Sequence, residues 1–310
     1  MPKVGAVLAG YIFAIIPTAI WSGNFVIARG LNEVISPVNL AFFRWATAVL
    51  FFLPFALKPL IKEIHIVKEN FFYFAVTAFL GVTVFNTLIY TAGRTTTATN
   101  LSLIAITFPV LIVIISRIVF KEKITINKIA GILLVVFGIV LLITKGDFNV
   151  LKNLSFALGD LIMLAAAVVF AIYSILLKKK PEKMNIFAFQ LALFFMGLVF
   201  LFPFFLYENI GQSFVVPEKG TLFSILYLGI FASLTAFVLW NKAILIIGPS
   251  KAAMIYYVLP LFSGLLAFIF LGEEIGRIHF FSFFLILSGI IIANREFKKR
   301  GYDDFAENSL

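Results

Sequence analysis

Apolar runs about twenty residues long alternate along the chain with polar breaks of only a few residues. Ten runs are predicted as spans: 5–28, 38–57, 71–93, 97–119 and 125–144, then 158–177, 185–207, 222–245, 250–271 and 278–294. About 20 residues rising 1.5 Å each cross a hydrocarbon layer of roughly 30 Å, whereas membrane β-strands would be ~10-residue alternating segments. The pattern therefore predicts an all-α membrane protein of ten transmembrane helices. The breaks are Asn32-Glu33, Lys62-Glu63-Ile64-His65, Gly93-Arg94-Thr95, Lys121-Glu122-Lys123, Lys145-Gly146-Asp147, Lys178 to Lys183, Pro217-Glu218-Lys219-Gly220, Gly248-Pro249-Ser250 and Gly272-Glu273-Glu274. None leaves room for an extramembrane domain. Lys3 is followed by a long apolar run without a small-residue cleavage site, so the first span is expected to be retained.

The pattern is written twice. Pro109, Glu122, Ile124 and Gly138 recur 151 residues later as Pro260, Glu273, Ile275 and Gly289. Gly10 and Trp21 match Gly159 and Phe170 at an offset of 149, and Gly81 matches Gly229 at 148. Two five-helix units are expected, 1–147 and 148–294, with a charged cytoplasmic tail at 295–310. An odd number of spans per unit makes the second unit enter the membrane from the opposite side. Inverted repeats are the architecture from which secondary transporters build alternating access around a site near the midplane.

Composition agrees with membrane burial. Hydrophobic residues make up 62% of the 310 and charged residues 13%, against roughly 45–50% and 25% in soluble domains. The formal charge of +10 is scattered between spans and not gathered on one face with aromatics, so no nucleic-acid partner is expected. With a cytoplasmic N-terminus, the inside segments carry 17 Lys and Arg and the outside segments 6. The excess of inside positive charge predicts both termini cytoplasmic, in a bacterial inner membrane. The expected partners are the lipid bilayer and a small-molecule metabolite. Oligomeric state is left open, a monomer being compatible. There is no cysteine, hence no disulfide or thiolate chemistry. His65 and His279 lie near the interfaces without a ligand pattern, so neither metal nor cofactor is expected.

No Asp or Glu lies deep in a span. Asp160, Glu122 and Glu273 sit at span ends, where an acid complements a helix start or pairs with basic neighbours, and carboxylate-based proton coupling is not expected. Arg44 lies about seven residues into the second span and must face protein or water. A structural contact to backbone carbonyls and a place near the substrate path both stay open. Arg117, near a cytoplasmic end, is expected to snorkel. Counting from span centres puts Trp21, Asn24, Asn86, Tyr90 and Ser102 outside the midplane and Tyr173, Trp240, Tyr256 and Tyr257 inside it, as two gates would be arranged. All nine are candidate substrate contacts. Their aromatic faces attract apolar groups and organic cations and their polar atoms fix orientation, although an aromatic belt or helix packing would use the same residues. Pro109 and Pro260 occupy equivalent mid-span positions and are expected to act as hinges, with Pro17 a third kink site.

These landmarks resemble the drug/metabolite transporter superfamily, specifically its EamA-like ten-helix exporters. The resemblance is carried by Ile20 to Val26 (Ile-Trp-Ser-Gly-Asn-Phe-Val), Pro37 through Arg44, and Tyr90-Thr91-Ala92-Gly93. Pro109, Glu122 and Gly138 continue it, with the echo Gly248 to Ala253, Pro260, Glu273 and Gly289. It covers residues 5 to 294. It implies helices 1, 3, 4, 6, 8 and 9 around a central cavity, with 5 and 10 peripheral, and one ligand touching Trp21, Asn86 and Tyr257. Phe170 stands where the first half has Trp21, so aromatic gating need not be symmetric. The implied activity is alternating-access export of small amphipathic metabolites such as amino acids, not catalysis. Import or exchange of nucleotide-like or quaternary-amine compounds is the alternative. A passive channel would show a continuous polar face, and a membrane enzyme would need paired carboxylates or spaced histidines.

Overall fold

The computed structural model describes residues 4–24, 27, 30–31, 34–96, 98–105, 107–144, 146–152, 157–210, 219–262, 265, 269 and 277–295. The described elements are helical, and eight helices are long and apolar enough to cross a membrane. The first is α1 (Val4–Ser22). Helix α2 (Pro37–Lys62) starts where Ser36 accepts the Asn39 N–H at 3.1 Å and Pro37 occupies the first turn. Its inward stripe runs Pro37, Leu40, Ala41, Arg44, Trp45, Ala48 and Phe52, the spacing of one helical face. A turn at Glu63 leads into the short α3 (Ile64–Glu69), so the predicted polar break there is largely helical. Helix α4 (Phe71–Thr95) carries through Gly93-Arg94-Thr95, which the sequence suggests as a loop.

Next come α5 (Ala98–Ala105), α6 (Thr107–Phe120), α7 (Ile126–Ile143) and the single turn α8 (Asn149–Lys152). The second half holds α9 (Leu158–Leu177), α10 (Ile186–Glu208), α11 (Lys219–Ile247), α12 (Pro249–Tyr256) and α13 (Arg277–Asn294). The expected span 97–119 is helical over Ala98–Ala105 and Thr107–Phe120, on either side of residue 106, which lies outside the described residues, and the expected span 250–271 is described as a helix only in part. In the second, helix α12 ends at Tyr256, four residues before Pro260. Proline has no N–H for the carbonyl four residues back, and its ring crowds that carbonyl.

Both α4 and α11 contain a wide π-helical turn, Phe79–Val84 and Tyr227–Thr235, whose starts lie 148 residues apart. Such turns are rare and gather at functional sites. Gly81 sits in the first, where an added Cβ would overlap the ring of Tyr173 on α9. The π turn thus brings backbone and aromatic ring into direct contact.

Packing partners are exchanged between halves. Helix α1 packs on the end of α11 while α9 packs on the end of α4. Helix α2 lies on the π turn of α11, and α10 lies on that of α4. Helix α6 packs on α9 and α12 packs on α1, whereas α2 with α10, α6 with α12 and α7 with α13 pair directly. At the α7–α13 seam a Cβ on Gly131 would overlap the Gly289 carbonyl oxygen and lie 2.6 Å from the Ala293 nitrogen. Backbone cannot retreat as a side chain can. Gly131→Val and Gly289→Val are each expected to cost about 1–3 kcal/mol or more, read as earlier thermal unfolding in detergent. Parent-like unfolding of both would show that the seam tolerates separation.

Candidate functional site

Arg44 lies fully inside the protein, at 1% exposure, eight residues into α2. Its Nε donates to Ser233 Oγ on the π turn of α11 at 2.7 Å. Its Nη1 donates to Asn86 Oδ1 at 2.8 Å, to Asn24 Oδ1 at 3.4 Å and to the Tyr90 hydroxyl. Tyr90 in turn donates to Asn24 Oδ1 at 3.2 Å, and Asn86 Nδ2 reaches the Gly81 carbonyl at 3.5 Å. The guanidinium lies 5.3 Å from the Trp45 ring centroid and 5.7 Å from that of Tyr90, within cation–π range. The partners are side chains on α4 and α11 and one just beyond the end of α1, not the backbone carbonyls of one of the two readings left open by the sequence. The wide turn presents Ser233 to Arg44, and that link was invisible in the sequence.

Beside this cluster lies an aromatic one. Trp21 has its ring 5.8 Å from Phe170, 5.5 Å from Phe237, 5.4 Å from Trp240 and 6.1 Å from Tyr256. Its Nε1 donates to the Ala232 carbonyl at 2.9 Å. The inner and outer groups expected as two gates therefore meet in one continuous core. Counting depth along the backbone ignores the reach of aromatic side chains, which here spans the difference. Trp21, Asn24, Phe85, Asn86, Ile89, Phe170 and Tyr256 enclose a cavity of about 10 Å³, room for about one water. Tyr256 borders it, whereas Tyr257, the expected third contact, does not. Tyr257 is buried with its hydroxyl unpartnered among the described residues.

A second polar set belongs to the other half. Tyr173 donates to Asn241 Oδ1 at 3.3 Å, Asn241 Nδ2 donates to Gln190 Oε1, and Trp240 Nε1 reaches Ser174 Oγ at 3.4 Å. Gln190, Asn241 and Phe237 were not singled out from sequence, and Phe170 only as the repeat counterpart of Trp21. The buried amides at 190 and 241 within apolar runs were the available signal. Ser102 lies on α5 with its side chain outside the described set, and Glu273 lies outside the described residues.

The span-end acids hold helices together. Asp160 in the first turn of α9 accepts from Thr96 Oγ1, from Asn100 Nδ2 at 3.1 Å to each oxygen, and from the Ala157 N–H at 2.8 Å. At the predicted cytoplasmic side Glu122 pairs with Lys178 at 3.3 Å and accepts from Ser250 Oγ at the start of α12. Arg117 turns back onto the carbonyls of Lys121 at 3.2 Å and Glu122 at 3.4 Å. In the loop after α9, burial lowers the pKa of Lys180 below the ordinary lysine value, an effect that Glu63 opposes. An apolar groove of about 460 Å³ is lined by Leu142 on α7, by Val258, Pro260, Leu261, Phe262 and Leu265, and by His279 and neighbouring phenylalanines on α13. It is bordered by exposed Leu265, Phe280 and Phe284 and is separate from the enclosed cavity.

A model of a family described as EamA-like transporters matches the chain twice, over residues 8–144 and 157–295. An uncharacterized transporter of Archaeoglobus fulgidus is 30% identical over 280 residues, spanning 88% of this chain and 90% of its own. The uncharacterized transporter YetK of Bacillus subtilis is 26% identical over 298 residues, 94% of this chain and 89% of its own. A solved crystal structure superposes with a TM-score of 0.74 at 19% identity, covering 94% of this chain and 97% of that one, which makes the fold similar.

Proposed function

The chain belongs to the EamA-like transporter family and is a multi-pass membrane transporter, and we propose that it moves small amphipathic metabolites across a bacterial inner membrane by alternating access, as an exporter of amino acids or related compounds. The observation that carries this reading is the enclosed cavity, walled by Trp21, Asn24 and Asn86 from the first half and by Phe170 and Tyr256 from the second. A pocket built by two halves opens to one side or the other as those halves rock. At about 10 Å³ it is closed down to room for about one water, as in an occluded conformation.

Ten crossings in two inverted units, 1–147 and 148–294, are supported by the exchanged packing partners, by π turns 148 residues apart and by the double family match. The charge asymmetry supports cytoplasmic termini. Trp21, Asn24, Asn86 and Tyr256 are the proposed substrate contacts, with Tyr90 behind the amides. Tyr173 and Trp240 support the aromatic core, and Ser102 and Tyr257 are secondary candidates. Pro109, near the start of α6, and Pro260, four residues beyond the end of α12, are the proposed hinges, and Glu122 is a clasp that opens with them.

The chain has no cysteine, so a single introduced thiol reports access. Ile89→Cys replaces a cavity-lining residue at 2% exposure. In oriented vesicles it is expected to react with a membrane-impermeant thiol reagent applied to either face. Reaction from one face only would defeat alternating access.

A further inference from the structure

Two ionisable side chains, Arg44 and Asp160, are nearly inaccessible among the described charged residues. They are compensated differently. Asp160 sits in the first turn of α9, where four hydrogen bonds and the positive end of the helix oppose its charge. Arg44 is far from either end of α2, and its hydrogen bonds end on four neutral oxygens, those of Ser233, Asn86, Asn24 and Tyr90. Among the described residues no carboxylate pairs with it. Neutral dipoles orient a guanidinium but leave its full positive charge in a low-dielectric interior, where an uncompensated ion is costly.

Two of those acceptors, Asn24 and Asn86, also border the enclosed cavity. Among the described residues none that lines it is charged, and the remaining walls are the faces of Trp21, Phe85, Phe170 and Tyr256 with Ile89. The cavity is therefore positive behind one wall and apolar elsewhere. Taking the alternating-access reading as its basis, we propose that the transported substrate carries a carboxylate, which docks at the Arg44, Asn24 and Asn86 end while its apolar body lies on the aromatic walls. As the cavity widens, the amides turn and the planar guanidinium meets both carboxylate oxygens, the geometry arginine recognises best. One guanidinium matches one negative charge, so a phosphate dianion would bring an excess charge into the same apolar pocket.

The test compares each acid with its own amide, which keeps shape and removes charge. Propionate, 4-methylvalerate and phenylacetate are titrated against propionamide, 4-methylvaleramide and phenylacetamide, with phenyl phosphate as a dianion arm. Tryptophan fluorescence and thermal shift of the purified protein are the readouts. At least one acid is expected to half-saturate at a concentration tenfold or more below its amide, since hydrogen bonds to charged groups are the strong ones, and phenyl phosphate to bind more weakly than phenylacetate. In Arg44→Lys, which keeps the charge and loses the fork, the ratio should shrink, and in Arg44→Gln it should approach one. Equal binding of every acid and its amide by the parent protein, or no saturable response to any acid, overturns the proposal without needing a variant. Stronger binding of phenyl phosphate overturns the assignment to a carboxylate. Read beside Ile89→Cys, two-sided access without acid preference removes the anion site and keeps the carrier, while acid preference with one-sided access does the reverse.

Discussion

Trp21→Ala is expected to lower the unfolding free energy by about 3–5 kcal/mol, the range for emptying a buried aromatic position. The indole touches four rings drawn from α9, α11 and α12 and donates to the Ala232 carbonyl at 2.9 Å. Alanine removes the contacts, leaves a void between the two halves and removes a hydrogen bond to a carbonyl on the π turn. Trp21→Phe keeps most of the ring packing and loses the hydrogen bond, an expected cost of about 1 kcal/mol. Thermal unfolding in detergent should rank parent, phenylalanine and alanine in that order, and an alanine variant as stable as the parent would show that the cluster is not cohesive. Position 21 therefore holds the fold as well as facing the cavity, and only the phenylalanine variant can report on ligand contact.

Arg44→Met is expected to reduce carboxylate uptake into proteoliposomes by about 10- to 100-fold, as loss of a charged hydrogen-bonding partner implies, while thermal stability changes little. Two effects oppose each other. Asn86 Oδ1 and Ser233 Oγ lose their donor, about 1–3 kcal/mol for each orphaned group. The burden of a buried cation without a counter-ion, several kcal/mol, disappears with the side chain. An arginine retained only as scaffolding would give the opposite pattern, a large drop in melting temperature with uptake per folded molecule unchanged.

Eight of the expected spans were legible because hydrophobic runs and their polar punctuation are one-dimensional signals. Trp21, Asn24, Asn86 and Tyr90 could be named because aromatic and amide residues stand out in apolar runs, and the structure brings them together. Their partners were harder to see. Ser233 is an ordinary residue until a π turn aims it at Arg44, and nothing local to residues 227–235 signals that turn. The choice of Tyr256 over Tyr257 at the cavity depends on rotation about a helix that stops at Tyr256. Pro260 signals a break there, but not which ring faces inward. Glu122 was legible as a span-end acid, whereas its pairing with Lys178 and Ser250 joins residues far apart in sequence.

The α7–α13 seam also sets a timetable. Gly289, against which Gly131 packs, is made 158 residues after it. At about 5–20 residues per second, roughly 10–30 s of synthesis separate the two. Throughout that interval the small-residue face of α7 lies in the bilayer without its partner, and such faces associate readily with others of their kind. Two nascent copies side by side each present the same face, so a ribosome that stalls between α7 and α13 favours pairing between chains over closure within one.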